Sequence, residues 1–112
     1  MLRRVAVWGQ KNNVRVAYLL PWALYRKGEE EKALQANVRL LAEINTLLPV
    51  LRDDRFGVWD KPEDFSDTEL HLTHDGAVYR TTSLVPAFRD WDVYRQGELS
   101  ADLQGFAQRA SP

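Results

Sequence analysis

The longest run of regularly spaced apolar residues in the chain lies between Gly28 and Leu51, GEEEKALQANVRLLAEINTLLPVL. Wound at about 100° per residue, it sets Ala33, Leu34, Ala36, Val38, Leu40, Leu41, Ile44, Leu47 and Leu48 on one arc. The spacing predicts a helix. Glu29, Glu30 and Glu31 bring negative charge to the end where the helix dipole is positive. Gly28 can serve as N-cap. Pro49 lacks a backbone donor and ends the helix near Leu48. The arc spans roughly 200°, wider than the stripe of roughly 100° that one-sided burial needs. Such a helix is either covered on two sides within its own domain or shares part of its face with a partner or second copy. Asn37, inside the arc, then needs a hydrogen-bond partner.

Outside this helix the pattern reads mostly as strand. Residues 3–8, RRVAVW, and 14–20, VRVAYLL, are rich in β-branched and aromatic types and flank GQKNN. They predict a β-hairpin turning at Lys11 and Asn12. One face would carry Val5, Val7, Val16 and Tyr18. The other would carry Arg4, Trp8 and Arg15, with Trp8 opposite Arg15. Residues 14–20 also fit helical spacing, so a helix from Asn13 to Lys27 is the competing reading. With the strand, Pro21 opens a short helix, PWALYRK, that Gly28 closes.

Residues 52–68, RDDRFGVWDKPEDFSDT, form an acidic loop anchored by Phe56, Val58, Trp59 and Phe65, in which FGVW can make a short edge strand. Asp75-Gly76, between Glu69–Thr73 and Ala77–Thr82, predicts a second hairpin with a type I′ turn. Phe88, Trp91 and Tyr94 then recur every three residues up to Gly97, a helical spacing. A last helix starts at Ser100 with Leu103, Phe106 and Ala107 inward. The expectation is α+β: a small single globular domain, 1–112, with two β-hairpins in a mostly antiparallel sheet packed against one long central helix. Short C-terminal helices and a frayed tail at 110–112 complete it.

Composition narrows the class. At 45% hydrophobic, with four Trp, four Tyr and four Phe, the chain is too apolar and aromatic for disorder. No apolar run is long enough to span a bilayer. The start, MLRRVAVWGQ, lacks the apolar stretch and cleavage site of a signal peptide. A soluble cytoplasmic protein without a membrane role is expected. Zero cysteines remove disulfides, thiolate catalysis and Cys-ligated zinc.

The net charge of −1 hides an asymmetry. Residues 1–28 carry Arg3, Arg4, Lys11, Arg15, Arg26 and Lys27 with no acid, whereas residues 29–75 hold twelve acids against five bases. A basic end can meet an anionic partner or the acidic middle of its own chain.

Chemistry is sparsely furnished. His71 and His74 would point to opposite faces of a strand, so no metal site is expected. The four serines lack a nucleophile elbow, and the six glycines are scattered singly rather than gathered in a phosphate loop. No enzyme and no cofactor are expected. The leading expectation is an interaction protein, an adaptor, inhibitor or accessory subunit, that binds a larger protein partner. Asp53, Asp54, Trp59, Asp60, Asp64 and Phe65 of the acidic loop are its candidate contacts. The same aromatic and Arg richness points to self-association as a homodimer. The alternative is a nucleic-acid-binding module on Arg3, Arg4, Trp8, Lys11 and Arg15, cations beside an aromatic platform on which bases stack.

Overall fold

The N-terminal segment is helical, not extended. In the computed structural model, which describes residues 1–110 with side chains through Gly105, Leu2–Lys11 forms α1. Leu2, Val5, Ala6 and Gly9 recur at i, i+3, i+4 and i+7, one helical face, and that face turns inward. Gly9 is buried because α1 lies against the chain that follows it: a Cβ there would stand 2.9 Å from Val14 O. Asn12 Nδ2 donates to Trp8 O at 2.8 Å, and Asn13, at φ 55°, turns the chain out of the helix. The expected first hairpin is corrected accordingly. Its first strand is helix, and the 2-5-6-9 spacing outweighed the β-branched residues at 5 and 7.

Residues 14–20 form neither the expected strand nor the competing helix; Tyr18 alone makes an isolated bridge, donating to Pro49 O at 2.9 Å and accepting from Leu51 N at 2.8 Å. The short helix expected at PWALYRK is instead β1, Ala23–Leu24. A turn through Gly28, at φ 93°, leads into α2, Glu30–Asn45, the helix the sequence marks out most clearly. Glu29 rather than Gly28 is its N-cap. β2, Val50–Leu51, and β3, Val58–Trp59, follow, and β3 is the edge strand expected at FGVW. A 3₁₀ turn covers Pro62–Asp64.

The second expected hairpin is also corrected. Around Asp75-Gly76 the chain is α3, His74–Asp90. Thr73 caps it by accepting from Gly76 N at 3.0 Å, and Asp75 adds charge to the first turn. Trp91, left-handed at φ 46°, ends α3 before Tyr94 is reached. Tyr94 belongs to β4, Val93–Tyr94, and α4 runs from Glu98, not Ser100, to Ala110. The inward positions expected for Phe106 and Ala107, and residues 111–112 of the expected frayed tail, lie outside the described residues.

Among the described residues the result is α+β, with four helices and two separate two-stranded sheets in place of the expected single, mostly antiparallel sheet on one long helix. β1 pairs with β3 in parallel, and β2 with β4 antiparallel. One core cluster joins Leu41, Ala42, Ile44 and Leu48 of the α2 region to Val50, Tyr94 and Leu99. Leu2 and Ala6 of α1 and Phe56 pack against it, while Leu40 and Leu47 of the expected arc stay 43% and 38% exposed. Each fully buried Leu or Val there contributes about 1.5–3 kcal/mol. Trp22, Trp59 and Phe65 form a second cluster, joined by Leu24 and Leu72. Asn37 Nδ2 donates to Phe56 O at 2.9 Å, which satisfies the amide on the arc.

Candidate functional site

Helix geometry gathers most of the basic N-terminal residues. On α1, Arg4, Val7, Trp8 and Lys11 share the face turned away from Leu2, Ala6 and Gly9. Trp8 is 54% exposed and Val7 43%. With Met1, Arg3 and Leu47, from just beyond α2, they line a shallow open hollow. Apolar side chains and three cations line it together. Arg15 does not join them. Its guanidinium stacks over the Trp91 ring, 4.8 Å from the centroid. The expected pairing of Arg15 with Trp8 required the hairpin that α1 replaces.

The acidic loop is built differently from a presented charge run. Trp59 is 1% exposed and stacks on Trp22 with ring centroids 4.1 Å apart. Phe65 is buried with them. Trp59 Nε1 donates to Asp64 Oδ2 at 2.7 Å, and Trp22 Nε1 to Asp53 Oδ2 at 3.3 Å. Asp53 also faces Arg80 of α3, which stacks over Trp22 at 4.6 Å and donates through Nη2 to Leu20 O at 2.8 Å. Burial lowers the Arg80 pKa, and the neighbouring Asp53 carboxylate partly offsets that. Arg55 and Lys61 sit over Trp59, 4.6 and 5.5 Å from its centroid. Asp54 and Asp60 alone of the six candidate contacts are exposed. A cavity of about 310 Å³ opens beside this cluster, lined by Asp53, Asp54, Arg55, Tyr79 and Ser83 among others. Ser83 Oγ donates to Arg80 O at 2.7 Å, so its proton is committed to backbone.

One cluster resembles hydrolytic machinery in its residue types. Ser66 Oγ lies 3.1 Å from Asp67 Oδ1, and His71 Nδ1 lies 3.0 Å from the same oxygen. The hydrogen bond from His71, followed by that from Ser66, holds the Asp67 carboxyl below its ordinary value. The order is wrong for a nucleophile. Activation requires the imidazole between hydroxyl and carboxylate, whereas here the carboxylate lies between. His74 stands apart at the start of α3. Among the described residues no three His, Cys, Asp or Glu side chains converge on a metal position. No described helix is long and apolar enough to cross a membrane.

Val7, Met1 and Leu47, which complete the α1 hollow, were not among the site residues the sequence singled out, nor was Arg80. The signal for the first was the 2-5-6-9 spacing, which fixes the outward face by subtraction. Arg80 had no signal, since its place depends on tertiary packing. No protein-family model matches the chain, and it has no significant match among curated proteins or solved structures.

Proposed function

We propose that the chain is a non-enzymatic interaction protein, an adaptor, inhibitor or accessory subunit, that docks a larger protein on the outer face of α1. The observation that supports this reading is Trp8, half in solvent on a helix whose other face is packed, among Met1, Val7 and Leu47. Exposed apolar patches rimmed by polar residues mark interaction sites. Trp and Arg are also types that carry binding energy at interfaces. Arg3, Arg4 and Lys11 select a partner with an apolar protrusion bordered by carboxylates.

The test is a capture experiment from native lysate with the wild type and with Trp8→Glu and Arg4→Glu. A protein retained by the wild type and released by both substitutions, with circular dichroism unchanged, supports the reading. Retention indifferent to both substitutions counts against it.

Nucleic-acid binding is the second reading, favoured by the gathering of Arg3, Arg4, Trp8 and Lys11 in one place. Three cations without Arg15 imply a shallow salt dependence, a slope of roughly −2 for single strands. Titration of a labelled oligonucleotide at several salt concentrations decides between the two. Saturable binding with that slope, abolished by Trp8→Ala, favours nucleic acid; no binding at low salt leaves the protein partner.

A further inference from the structure

α3 is 17 residues long and buries only Gly76, Arg80 and Leu84. Turned away from these run His74, Val78, Thr81, Val85 and Phe88, alternately four and three residues apart. That is the a/d spacing of a coiled-coil seam, and it extends from the first turn of the helix to the last, past Pro86, which removes one backbone hydrogen bond beside Val85. Its apolar members stand half in solvent: Val78 51%, Val85 50% and Phe88 54% exposed. The radius of gyration is 15.1 Å, against about 13 Å for a closely packed domain of this length. The chain keeps a helix surface outside its own core.

We propose that this seam pairs with the same seam of a second copy, the two α3 helices running antiparallel about a twofold axis. A twofold contact needs a face that complements itself. In the antiparallel register Val78 lies opposite the partner's Phe88, and Thr81 opposite the partner's Val85. Small side chains thereby meet larger ones along the seam. The flanking position on one side is occupied in successive heptads by Asp75, Thr82 and Arg89. The same register sets Asp75 against the partner's Arg89, and Arg89 against the partner's Asp75, with Thr82 near the axis. One acid and one base at opposite ends of a single flank make two equivalent ion pairs. A parallel pair would form neither and would align the helix dipoles unfavourably. Arg89 is free to make the contact, because its own-chain neighbour is only Asp90 at 3.4 Å, both side chains being well exposed. This inference is independent of the α1 reading.

Sedimentation of the full chain from roughly 1 μM to 1 mM covers the range in which a pair resting on one helix seam dissociates. The expected mass rises from one chain to two. Val78→Glu and Phe88→Glu, both exposed in the single chain, hold it as a monomer with unchanged helical circular dichroism. Asp75→Arg and Arg89→Asp each turn two attractive pairs repulsive and weaken the dimer roughly tenfold. Mixing those two variants restores a heterodimer of near wild-type strength, and the weakening of each variant alone marks the antiparallel register, since a parallel pair already sets like charges together. A wild-type monomer at every concentration overturns the proposal. So does a dimer indifferent to Val78→Glu and Phe88→Glu, or a charge-swap mixture that stays weak.

Discussion

Arg80 and Asp53 face one another at 3.5 Å across the junction of α3 and the loop after β2, with side chains 9% and 11% exposed. The separation is that of an ion pair without a hydrogen bond, and Nη1 of Arg80 has no other partner. Nη2 is tied to Leu20 O, so this one side chain joins α3 to the segment before β1. Removing Asp53 leaves a guanidinium buried and uncompensated. Asp53→Ala is therefore expected to cost about 3–5 kcal/mol. Adding Arg80→Met to it should recover part of that loss, limited by the orphaned Leu20 carbonyl, worth about 1–3 kcal/mol. Urea unfolding of the wild type, both single variants and the double variant measures the coupling. A double variant no more stable than Asp53→Ala would show that the pair is not compensating.

Gly76 is where α3 meets the 3₁₀ turn. A Cβ there would run into the Asp64 carbonyl and lie 3.0 Å from Asp64 Cβ. Gly76→Ala is expected to destabilise by about 1–3 kcal/mol, although alanine is intrinsically the better helix former. Thr73→Ala removes only the cap and should cost about 1 kcal/mol. Thermal unfolding of the two variants separates the effects. A stabilised Gly76→Ala would mean that propensity outweighs the contact.

The same glycine explains how much of the fold was legible in the chain. Asp-Gly between two short apolar runs is a strong local turn signal, but the glycine is needed for close packing of a helix. The competing cue, Thr73 as N-cap with Asp75 in the first turn, is equally local. Only the tertiary contact with Asp64 decides between them. α2 was readable because sixteen residues of one period leave no strand alternative. Trp22 and Trp59, 37 residues apart, stack through a parallel pairing of two-residue strands that no periodicity announces. Of the α1 hollow, the residue types were visible, while Arg15 was misplaced along with the hairpin.

Asn45 is 1% exposed in α2, donating through Nδ2 to Tyr94 O at 3.1 Å while its Oδ1 has no partner. Asn45→Asp puts a carboxyl into that site. Burial raises its folded pKa above the unfolded value of about 3.9, so the variant's deficit is smallest below that value. The deficit grows as pH rises through the folded pKa, because the protonated form alone can donate to Tyr94 O. Urea midpoints relative to wild type should therefore converge near pH 4 and diverge by pH 7. A pH-independent gap would show that the substituted carboxyl escapes to solvent.

Tyr94 closes the same region from the other side. Its ring lies under the Arg52 guanidinium at 4.1 Å, and Arg52 in turn bridges Asp92 at 2.8 Å and Glu98 at 3.1 Å. Burial first, then the nearby Asp102 carboxylate, raise the phenol pKa above 10.0, with Arg52 opposing. A folded pKa above the unfolded one means that this group's contribution is fully present below about pH 10. It is lost as pH rises through the folded value, since the unfolded chain releases the proton more readily. The wild type should thus lose stability above pH 10 faster than Tyr94→Phe, which has no phenol there to ionise. Guanidinium midpoints of both proteins at pH 8 and near pH 11 test this, with parallel losses counting against a buried neutral phenol.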